Sequence, residues 1–546
     1  ELVLANINVV DSEYNAIFNA IKSLRNLKRL DLTGTKNPDV NAFAEMLSSL
    51  LPLEELVLAN IHIHPDVKSQ KRIFSKIKFL KSLRRLNLGS NMGIREDFDK
   101  ALLSMLSSLR FLEDIVFPRI YLYGDANTEF FSAITSLKNL KSLDLENISG
   151  NKCITKNLAY TLPSLQWLEK LRFTPCNDSD CHDDDDDYEE HQSEFFRALV
   201  NLRYLQELHL DGNFIRETGM EALTEVLPSL HSLEKLSLRI ADFDDECERQ
   251  LFAAIRNLGW LKELALIVDP DFGTKLVTGS LGEALISLQL LEKLTFDGLF
   301  YDSEDKKLFV AALRSLKYLK ELYLDIGLDN QIEGTLAEVL PSLKLLENLV
   351  LKSCMVLKQV PAALGLLKYL KKLKLSLFDI AEDSAESLAE VLPSLQFLES
   401  LVFRTVDFQN GSEKQVFVAL RSLKYLKKFK LIFCGIAKDS AETLAEVLSS
   451  LQLLEELTLR GLDFSNSDQQ LFTAVRSLSY LKKLVLRSTK ISPAGARNLT
   501  AVLPTLRNLT FIYFPVIQHD ENKEFSKRLE EAARRIPGLD FKFWRC

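Results

Sequence analysis

The hydrophobic positions of this chain recur as L-x-x-L-x-x-L-x-L at intervals of about 28 residues. The phrase SLKYLKELYL at 315–324 returns as SLKYLKKFKL at 422–431 and as SLSYLKKLVL at 477–486. The final L-x-L alternates apolar and polar residues, which is typical of a half-buried β-strand. Upstream of it, Leu336, Val339, Leu340 and Leu343 follow helical spacing. Each repeat therefore predicts one strand and one helix.

The first apolar residue of each final L-x-L marks a predicted strand. The markers are Leu2, Leu30, Leu56, Leu86, Ile115, Leu143, Leu171, Leu208, Leu236, Leu264, Leu294, Leu322, Leu349, Leu373, Leu401, Phe429, Leu457, Leu484 and Ile512, and 539–543 is a possible further strand. A single repeat cannot bury its leucines, but stacked repeats can. We therefore predict an α/β leucine-rich-repeat solenoid (horseshoe), with a parallel sheet on the concave face and helices on the convex face.

The markers also predict how the chain is divided. Residues 1–523 form a solenoid of about nineteen units, and 524–546 form a C-terminal cap. One long spacing contains an acidic loop insertion at 177–192, and one short spacing defines an atypical unit at 349–373. The opening ELVLANI recurs at 55–61, so we expect the chain to begin inside a repeat, with upstream sequence missing.

Charge alternates along one edge of the predicted sheet. The residue two positions before the marker is Lys28, Glu54, Arg84 and Glu113 in successive repeats, and the alternation continues almost without exception to Lys482. Neighbouring parallel strands would bring opposite charges side by side. We interpret the alternation as a ladder of ion pairs that fixes the register, with a docking strip as the alternative.

Composition and overall charge exclude several classes of protein. The 546 residues are 47% hydrophobic and 26% charged, which excludes a disordered or collagen-like chain. No apolar run is long enough to span a membrane. The net charge is −8, and nine acidic residues lie between Asp178 and Glu190. Seven widely spaced cysteines favour a reduced compartment, so we expect a cytoplasmic protein.

The repeats resemble the ribonuclease-inhibitor type of leucine-rich repeat. The best match is LHLDGNFIRETGMEALTEVLPSL at 208–230, with Asn213 and Gly219 at the usual places of the motif. The asparagine position is apolar in other repeats, so the asparagine ladder of this type is incomplete. The apolar residues are Ile61, Leu299, Phe378 and Val406. The C-terminal region of intracellular NLR receptors (nucleotide-binding, NACHT/NB-ARC type) of innate immunity is similar, and this resemblance implies ligand sensing and autoinhibition.

No motif for catalysis or cofactor binding is present. The chain lacks G-x-x-x-x-G-K-[ST], G-x-S-x-G, H-E-x-x-H and G-x-G-x-x-G, so we expect no catalytic residue, no enzyme activity and no cofactor. Cys176, Cys181, His182 and His191 could offer zinc ligands, but their spacing matches no common site. We therefore expect no metal, and interpret Asp183, Asp184, Asp185, Asp186 and Asp187 as a solvated acidic loop, with contact to a basic partner as an alternative.

The strand period of two places the residues before, between and after the two leucines on the concave face. From Leu349 onward these residues turn basic, with Glu456 as the one acid among them. They are Lys352, Lys372, Lys374, Arg404, Lys428, Lys430, Arg460, Lys483 and Arg487. This patch predicts a protein ligand with an acidic surface, or the receptor's own upstream domains. We expect no membrane contact, and no nucleic acid because the face has few aromatic residues for stacking.

Three functions fit these observations. The first is a non-catalytic recognition module, the ligand-sensing and autoinhibitory repeat region of an intracellular innate-immune receptor. The second is a regulator of a small GTPase that resembles the Ran GTPase-activating protein. The third is a substrate-receptor or inhibitor scaffold, such as a ubiquitin-ligase adaptor. The sequence upstream of this chain would separate them.

Overall fold

A computed structural model describes residues 1–4, 11–35, 39–61, 67–89, 100–117, 120–122, 125–150, 153–175, 186–210, 215, 217–240, 245–268, 279–300, 302–353, 356–434, 436–517 and 524–543. The chain divides into two compact units, Glu1–Ser280 and Leu281–Cys546. We call them the N-terminal unit and the C-terminal unit.

In the N-terminal unit, strands and helices alternate along the chain. The strands are β1 (Leu2–Val3), β2 (Arg29–Asp31), β3 (Glu55–Val57), β4 (Arg85–Asn87), β5 (Asp114–Val116), β6 (Ile120–Leu122), β7 (Ser142–Gly150), β8 (Lys170–Pro175), β9 (Glu207–Leu210), β10 (Lys235–Ile240) and β11 (Glu263–Val268). The helices are α1 (Asp11–Lys22), α2 (Val40–Ser49), α3 (Val67–Ile77), α4 (Lys100–Ser108), α5 (Asp125–Ile134), α6 (Cys153–Thr161), α7 (Asp186–Ala198), α8 (Glu217–Val226) and α9 (Asp245–Arg256).

The C-terminal unit repeats the same alternation. Its strands are β12 (Lys293–Asp297), β13 (Glu321–Asp325), β14 (Asn348–Lys352), β15 (Val356–Leu357), β16 (Lys372–Ser376), β17 (Asp379–Ile380), β18 (Ser400–Arg404), β19 (Asp407–Phe408), β20 (Lys428–Ile432), β21 (Glu456–Arg460), β22 (Lys483–Val485), β23 (Lys490–Ile491), β24 (Phe511–Tyr513), β25 (Val516–Ile517) and β26 (Asp540–Lys542). Its helices are α10 (Ser280–Ser287), α11 (Ser303–Ala312), α12 (Asn330–Val339), α13 (Val360–Leu364), α14 (Glu382–Val391), α15 (Glu413–Ala419), α16 (Lys438–Leu448), α17 (Asp468–Ser477), α18 (Pro493–Val502) and α19 (Glu524–Arg534).

Within each unit, one strand per repeat joins a continuous parallel sheet, and the marker of one repeat pairs with the marker of the next. Leu30 lies opposite Leu56 in the N-terminal unit, and Leu322 lies opposite Leu349 in the C-terminal unit. Every predicted marker lies in a strand, and β26 adds the strand predicted at 539–543. The leucine-rich-repeat fold is therefore confirmed.

The core lies between the sheet and the helices of each unit. In β13, Leu322 and Leu324 are buried, whereas Glu321, Tyr323 and Asp325 are only partly covered. The alternation follows from the strand period of two, because every second side chain points toward the helices. The other side chains point to the opposite face of the sheet, which we call the sheet face.

The alternating charges form the predicted ladder. Lys28 Nζ lies 2.6 Å from Glu54, Lys320 Nζ lies 2.7 Å from Glu292, and Lys482 Nζ lies 2.8 Å from Glu455. These pairs are exposed, so each contributes about 0–1 kcal/mol to stability. The predicted ion pairs are therefore present along this edge, and their role in fixing the register stays a prediction.

Short secondary strands pair the backbone in several repeats that lack the asparagine. Phe378 and Val406 are buried at that position and offer no side-chain hydrogen bond. The chain after each pairs in a second parallel sheet, in which Asp379 of β17 lies opposite Val356 of β15 and Asp407 of β19. Backbone hydrogen bonding thus replaces part of the asparagine ladder, as buried backbone groups require.

The prediction of an acidic loop at 177–192 is wrong for residues 186–192, which are helical. Asp186 begins helix α7, and Gln192 within that helix is fully buried. The apolar residues that follow, Phe195 and Phe196, are also buried and draw the helix onto the core. Asp183, Asp184 and Asp185 lie outside the described residues, as do Cys176, Cys181 and His182.

Candidate binding face of the C-terminal unit

The nine predicted basic residues all belong to the C-terminal unit and occupy odd offsets from their strand markers. Lys352 ends β14, Lys372 and Lys374 lie in β16, Arg404 ends β18, Lys428 and Lys430 lie in β20, Arg460 ends β21, Lys483 begins β22, and Arg487 follows β22. An odd offset from a buried marker places a side chain on the sheet face. The sequence therefore located these residues on one surface.

The register places the basic residues in rows across the strands, with a neutral residue on most intervening strands. One row runs Lys372, Ser400 and Lys428, and the next runs Lys374, Val402 and Lys430. Adjacent strands are about 4.8 Å apart, so the basic residues of these two rows are separated by roughly 10 Å. This spacing limits their mutual repulsion.

Lys352 is neutralised within its own neighbourhood. It forms an ion pair with Asp325, and the hydrogen bond to this carboxylate raises the pKa of Lys352. The Tyr323 hydroxyl donates to Asp297 at 3.4 Å, and burial, followed by repulsion from Asp325, raises the pKa of Asp297. This end of the face is therefore a closed network with little net positive charge.

Glu456 neutralises much of the next part of the face. Its carboxylate lies 2.8 Å from both Lys428 Nζ and Lys430 Nζ, and 3.4 Å from Lys483 Nζ. Burial alone would raise the pKa of Glu456, but the hydrogen bonds from Lys428 and Lys430 outweigh burial and lower the pKa to about 2. Three of the nine predicted residues thus share one partly buried counter-ion.

Lys374, Arg404 and Arg460 keep their charge uncompensated. Among the described residues, no carboxylate lies within ion-pair distance of any of the three. Burial lowers the pKa of Lys374, and repulsion from Arg404 and Lys352 lowers it further. Burial likewise lowers the pKa of Arg460, with repulsion from Arg487 and Arg404 as the next causes. The positive charge of the face is concentrated here, and we call Lys374, Arg404 and Arg460 the basic cluster; Arg487 and the exposed Lys372 lie beside it.

Aromatic rings support the cluster. The Arg460 guanidinium carbon lies 4.5 Å from the centre of the Phe433 ring, and that of Arg487 lies 5.6 Å from the centre of Tyr513. Such cation–π contacts fix the position of the charged group without neutralising it. Arg460 Nε is buried and has no hydrogen-bond partner among the described residues. The cluster can therefore still accept an anionic group.

The sequence pattern alone missed the aromatic partners. Tyr513 sits at an odd offset from its marker Ile512, so the same rule that found the lysines would have found it had rings been considered with charges. Phe433 follows its marker by an even number of residues, which predicts a buried side chain. It adopts a left-handed backbone conformation (φ 53°) and is 47% exposed instead.

Comparisons with known proteins agree with this architecture. No protein-family model matches the chain. NLR family CARD domain-containing protein 4 from Xenopus tropicalis is 25% identical over 339 residues, which cover 60% of this chain and 31% of that protein. Ribonuclease inhibitor from Sus scrofa is 26% identical over 292 residues, which cover 52% of this chain and 58% of the inhibitor. The match thus spans less than two thirds of either relative.

Two solved structures were also compared. A leucine-rich-repeat protein from Leptospira interrogans is 18% identical, with a TM-score of 0.38, and the match covers 92% of this chain and 97% of that one. The TLR13–ssRNA13 complex is 14% identical, with a TM-score of 0.44, and the match covers 95% of this chain and 82% of that one.

The chain is a leucine-rich-repeat solenoid, and its repeats resemble those of ribonuclease inhibitor and of NLR proteins. A region of this kind is a protein-interaction module. In the part of the chain that the structure describes, no helix is both long and apolar enough to cross a membrane.

Proposed function

We propose that the chain is the ligand-sensing and autoinhibitory repeat region of a cytoplasmic innate-immune receptor of the NLR type. It acts without catalysis, by binding a protein through the sheet face of the C-terminal unit. The bound surface is acidic and belongs either to a ligand or to the receptor's own upstream domains. Similarity to an NLR protein from Xenopus tropicalis supports the receptor assignment.

One observation carries the choice of an acidic partner. Lys374, Arg404 and Arg460 lie on one face without a carboxylate, whereas the surrounding lysines are neutralised by Asp325 and Glu456. Arg460, held over the Phe433 ring, retains much of its attraction for an anion, because part of its desolvation has already occurred. Acidic side chains supply oxygens that match guanidinium groups in a bidentate manner.

An inhibitor scaffold is the second candidate, because the porcine ribonuclease inhibitor is about as similar in identity as the NLR protein. The regulator of a small GTPase has no comparable support. Sequencing the complete transcript distinguishes the two candidates. A nucleotide-binding domain encoded upstream supports the receptor, whereas an F-box, or no further domain, contradicts it.

The binding site can be tested with a labelled octaglutamate peptide, since the natural partner is unidentified. The triple variant Lys374→Glu, Arg404→Glu and Arg460→Glu should weaken peptide binding by about tenfold or more, measured by fluorescence anisotropy. Lys430 is left unchanged because Glu456 already neutralises it.

A matched control reverses three exposed arginines on the helix side of the same unit. Arg314→Glu, Arg421→Glu and Arg476→Glu change the net charge equally but lie away from the sheet face. This control should bind the peptide about as well as the wild type, and an octaglutamine peptide should not bind either protein. Equal losses in the two triple variants would mean that the cluster is not the site.

A further inference from the structure

A line of exposed large hydrophobic side chains follows one edge of the C-terminal unit. In eight consecutive repeats, the residue four positions before the strand marker is Leu, Phe or Tyr, and each is 37–57% exposed. We call these residues the rim strip: Leu290, Tyr318, Leu345, Tyr369, Phe397, Tyr425, Leu453 and Tyr480. The strip lies beside the ladder of alternating Lys and Glu.

The repeat itself does not require a hydrophobic residue at this position. In the N-terminal unit four of the nine equivalent residues are aromatic, and the others are Asn26, Pro52, Ser82, Asn139 and Ser232, although the sheet there is equally regular. In the C-terminal unit the strip ends at Tyr480, because the equivalent residue of the next repeat is the polar Asn508. A contiguous exposed apolar surface that folding does not need is characteristic of an interaction site.

The adjacent charges indicate what the strip binds. Along the eight repeats the ladder reads Glu292, Lys320, Glu347, Lys371, Glu399, Lys427, Glu455 and Lys482. A 180° rotation about an axis between Lys371 and Glu399 reverses this order. The rotated copy then places Lys371 opposite Glu399, and Glu347 opposite Lys427. Every Lys meets a Glu in this way, and every Tyr of the strip meets Leu or Phe.

We propose that the rim strip is the interface of an antiparallel, two-fold symmetric dimer of this chain. A two-fold interface must be complementary to itself, and an alternating strip of this length meets that condition. Aromatic side chains bury about 150–250 Å² in full, so half-exposed ones offer roughly 100 Å² each. The five aromatic residues of the strip thus offer about 500 Å². The three leucines and the adjacent ladder charges bring the surface toward the roughly 800 Å² per partner of a standard interface.

The Lys and Glu side chains that pair within each chain can also form ion pairs with the partner chain of the dimer. Lys371 Nζ lies 2.8 Å from Glu347, and Lys427 Nζ lies 3.2 Å from Glu399. All four side chains keep 38–46% of their surface exposed, so each carboxylate can accept a second hydrogen bond from the partner. Shared charges of this kind form networks, which are stronger than isolated surface pairs.

The hydrophobic part of the interface is tested by sedimentation equilibrium of the whole chain at about 100 µM. The wild type should be a dimer, and the triple variant Tyr369→Ser, Phe397→Ser and Tyr425→Ser should be a monomer. The control Tyr160→Ser, Leu308→Ser and Val418→Ser removes three exposed hydrophobic residues outside the strip and should remain a dimer. A monomeric wild type, or a dimeric strip variant, would overturn the proposal.

The antiparallel arrangement is tested by exchanging charges. Glu347→Lys with Lys371→Glu keeps the pair within the chain but places like charges across the dimer. The dissociation constant of the dimer should rise by about tenfold or more. Adding Glu399→Lys and Lys427→Glu restores opposite charges across the interface and should restore dimerisation. Thermal unfolding of each variant confirms that it is folded, and dimerisation unaffected by the first exchange would contradict the antiparallel arrangement.

Discussion

Single buried carboxylates join one repeat of the C-terminal unit to the next. Glu413 and Asp468 are buried in α15 and α17, and they accept hydrogen bonds from Ala437 N at 2.7 Å and Ser492 N at 2.8 Å. Both donors lie at the start of the following helix, where backbone N–H groups lack partners within the helix. A negative charge there also interacts favourably with the helix dipole. These residues stabilise the stacking of repeats at the level of individual side chains.

Glu333 gives the strongest test of this role. Its Oε1 accepts hydrogen bonds from the backbone N–H groups of Lys358, Gln359 and Val360 at 2.6, 2.7 and 3.0 Å. Glu333→Ala should lower the free energy of unfolding by about 3 kcal/mol, because it leaves buried donors unsatisfied. Glu338→Ala, an exposed change in the same helix, should lie within about 0.5 kcal/mol of the wild type. Urea denaturation measures both free energies of unfolding. Equal effects of the two substitutions would show that the hydrogen bonds to Glu333 do not stabilise the chain.

Glu456 should make stability depend on acidity. Its pKa is about 2 in the folded chain, below the ordinary value of 4.5. A carboxylate with a lowered pKa stabilises the fold above its unfolded pKa, and this contribution disappears as the pH falls through the folded pKa. The wild type should therefore be more stable than Glu456→Gln at neutral pH. The difference should shrink as the pH falls from about 4.5 toward 2.

The control for this pH dependence is Glu446→Gln, which breaks an exposed ion pair with Arg421 on the helix side. An exposed pair contributes only about 0–1 kcal/mol, so this variant should differ little from the wild type. Urea denaturation at several pH values measures both differences. A Glu456→Gln difference that stays constant from neutral pH to pH 3 would show that the three lysines do not stabilise the carboxylate.

At the scale of the element, the turn after the strand adopts a left-handed backbone conformation at the same place in several repeats, including Leu377 and Thr405. Phe433 occupies the left-handed region, and Gly461 does so at the same place in the next repeat (φ 77°). A Cβ atom on Gly461 would overlap the Phe433 ring. The glycine therefore allows the ring to lie where Arg460 contacts it.

Gly461→Ala should destabilise the chain more than Gly411→Ala does. Both glycines have positive φ, which costs an alanine about 1 kcal/mol, but a Cβ on Gly411 meets no other atom within 4 Å. The difference between the two variants isolates the overlap with Phe433 and should be about 1 kcal/mol or more. Denaturation curves give both values, and identical losses would mean that the ring moves aside freely.

The strands were predictable from the sequence because the marker and the residue two positions later must both be buried. This rule fixed the face of every predicted lysine and arginine, since a strand has only two faces. It could not show that Glu456 gathers Lys428, Lys430 and Lys483, because side-chain pairing depends on reach and geometry rather than on period. Nor could the rule show that the Phe433 side chain is exposed, because its direction is set by one backbone angle. It also could not locate the start of α7 at Asp186, because that residue lies within a run of aspartates.

On the scale of the whole molecule, the basic cluster is an exception within an acidic chain. The sequence has 68 basic and 76 acidic residues, and most of the rim charges are paired. An acidic ligand is therefore repelled by the average surface and attracted only where cations lack partners. We expect one octaglutamate peptide to bind per chain, despite the many lysines and arginines, and titration calorimetry measures this ratio directly.

Salt should weaken the binding of the octaglutamate peptide to the chain. Attraction between unpaired charges is screened over about 10 Å at 0.1 M salt, whereas a contact made through apolar groups is not. The dissociation constant of the peptide should rise by about tenfold between 50 and 300 mM salt, and the variant that reverses Lys374, Arg404 and Arg460 should lose most of this dependence. Two or more peptides bound per chain would mean that the lysines paired with Glu456 are also available. The ion pairs of Glu456 would then not restrict peptide binding to the basic cluster.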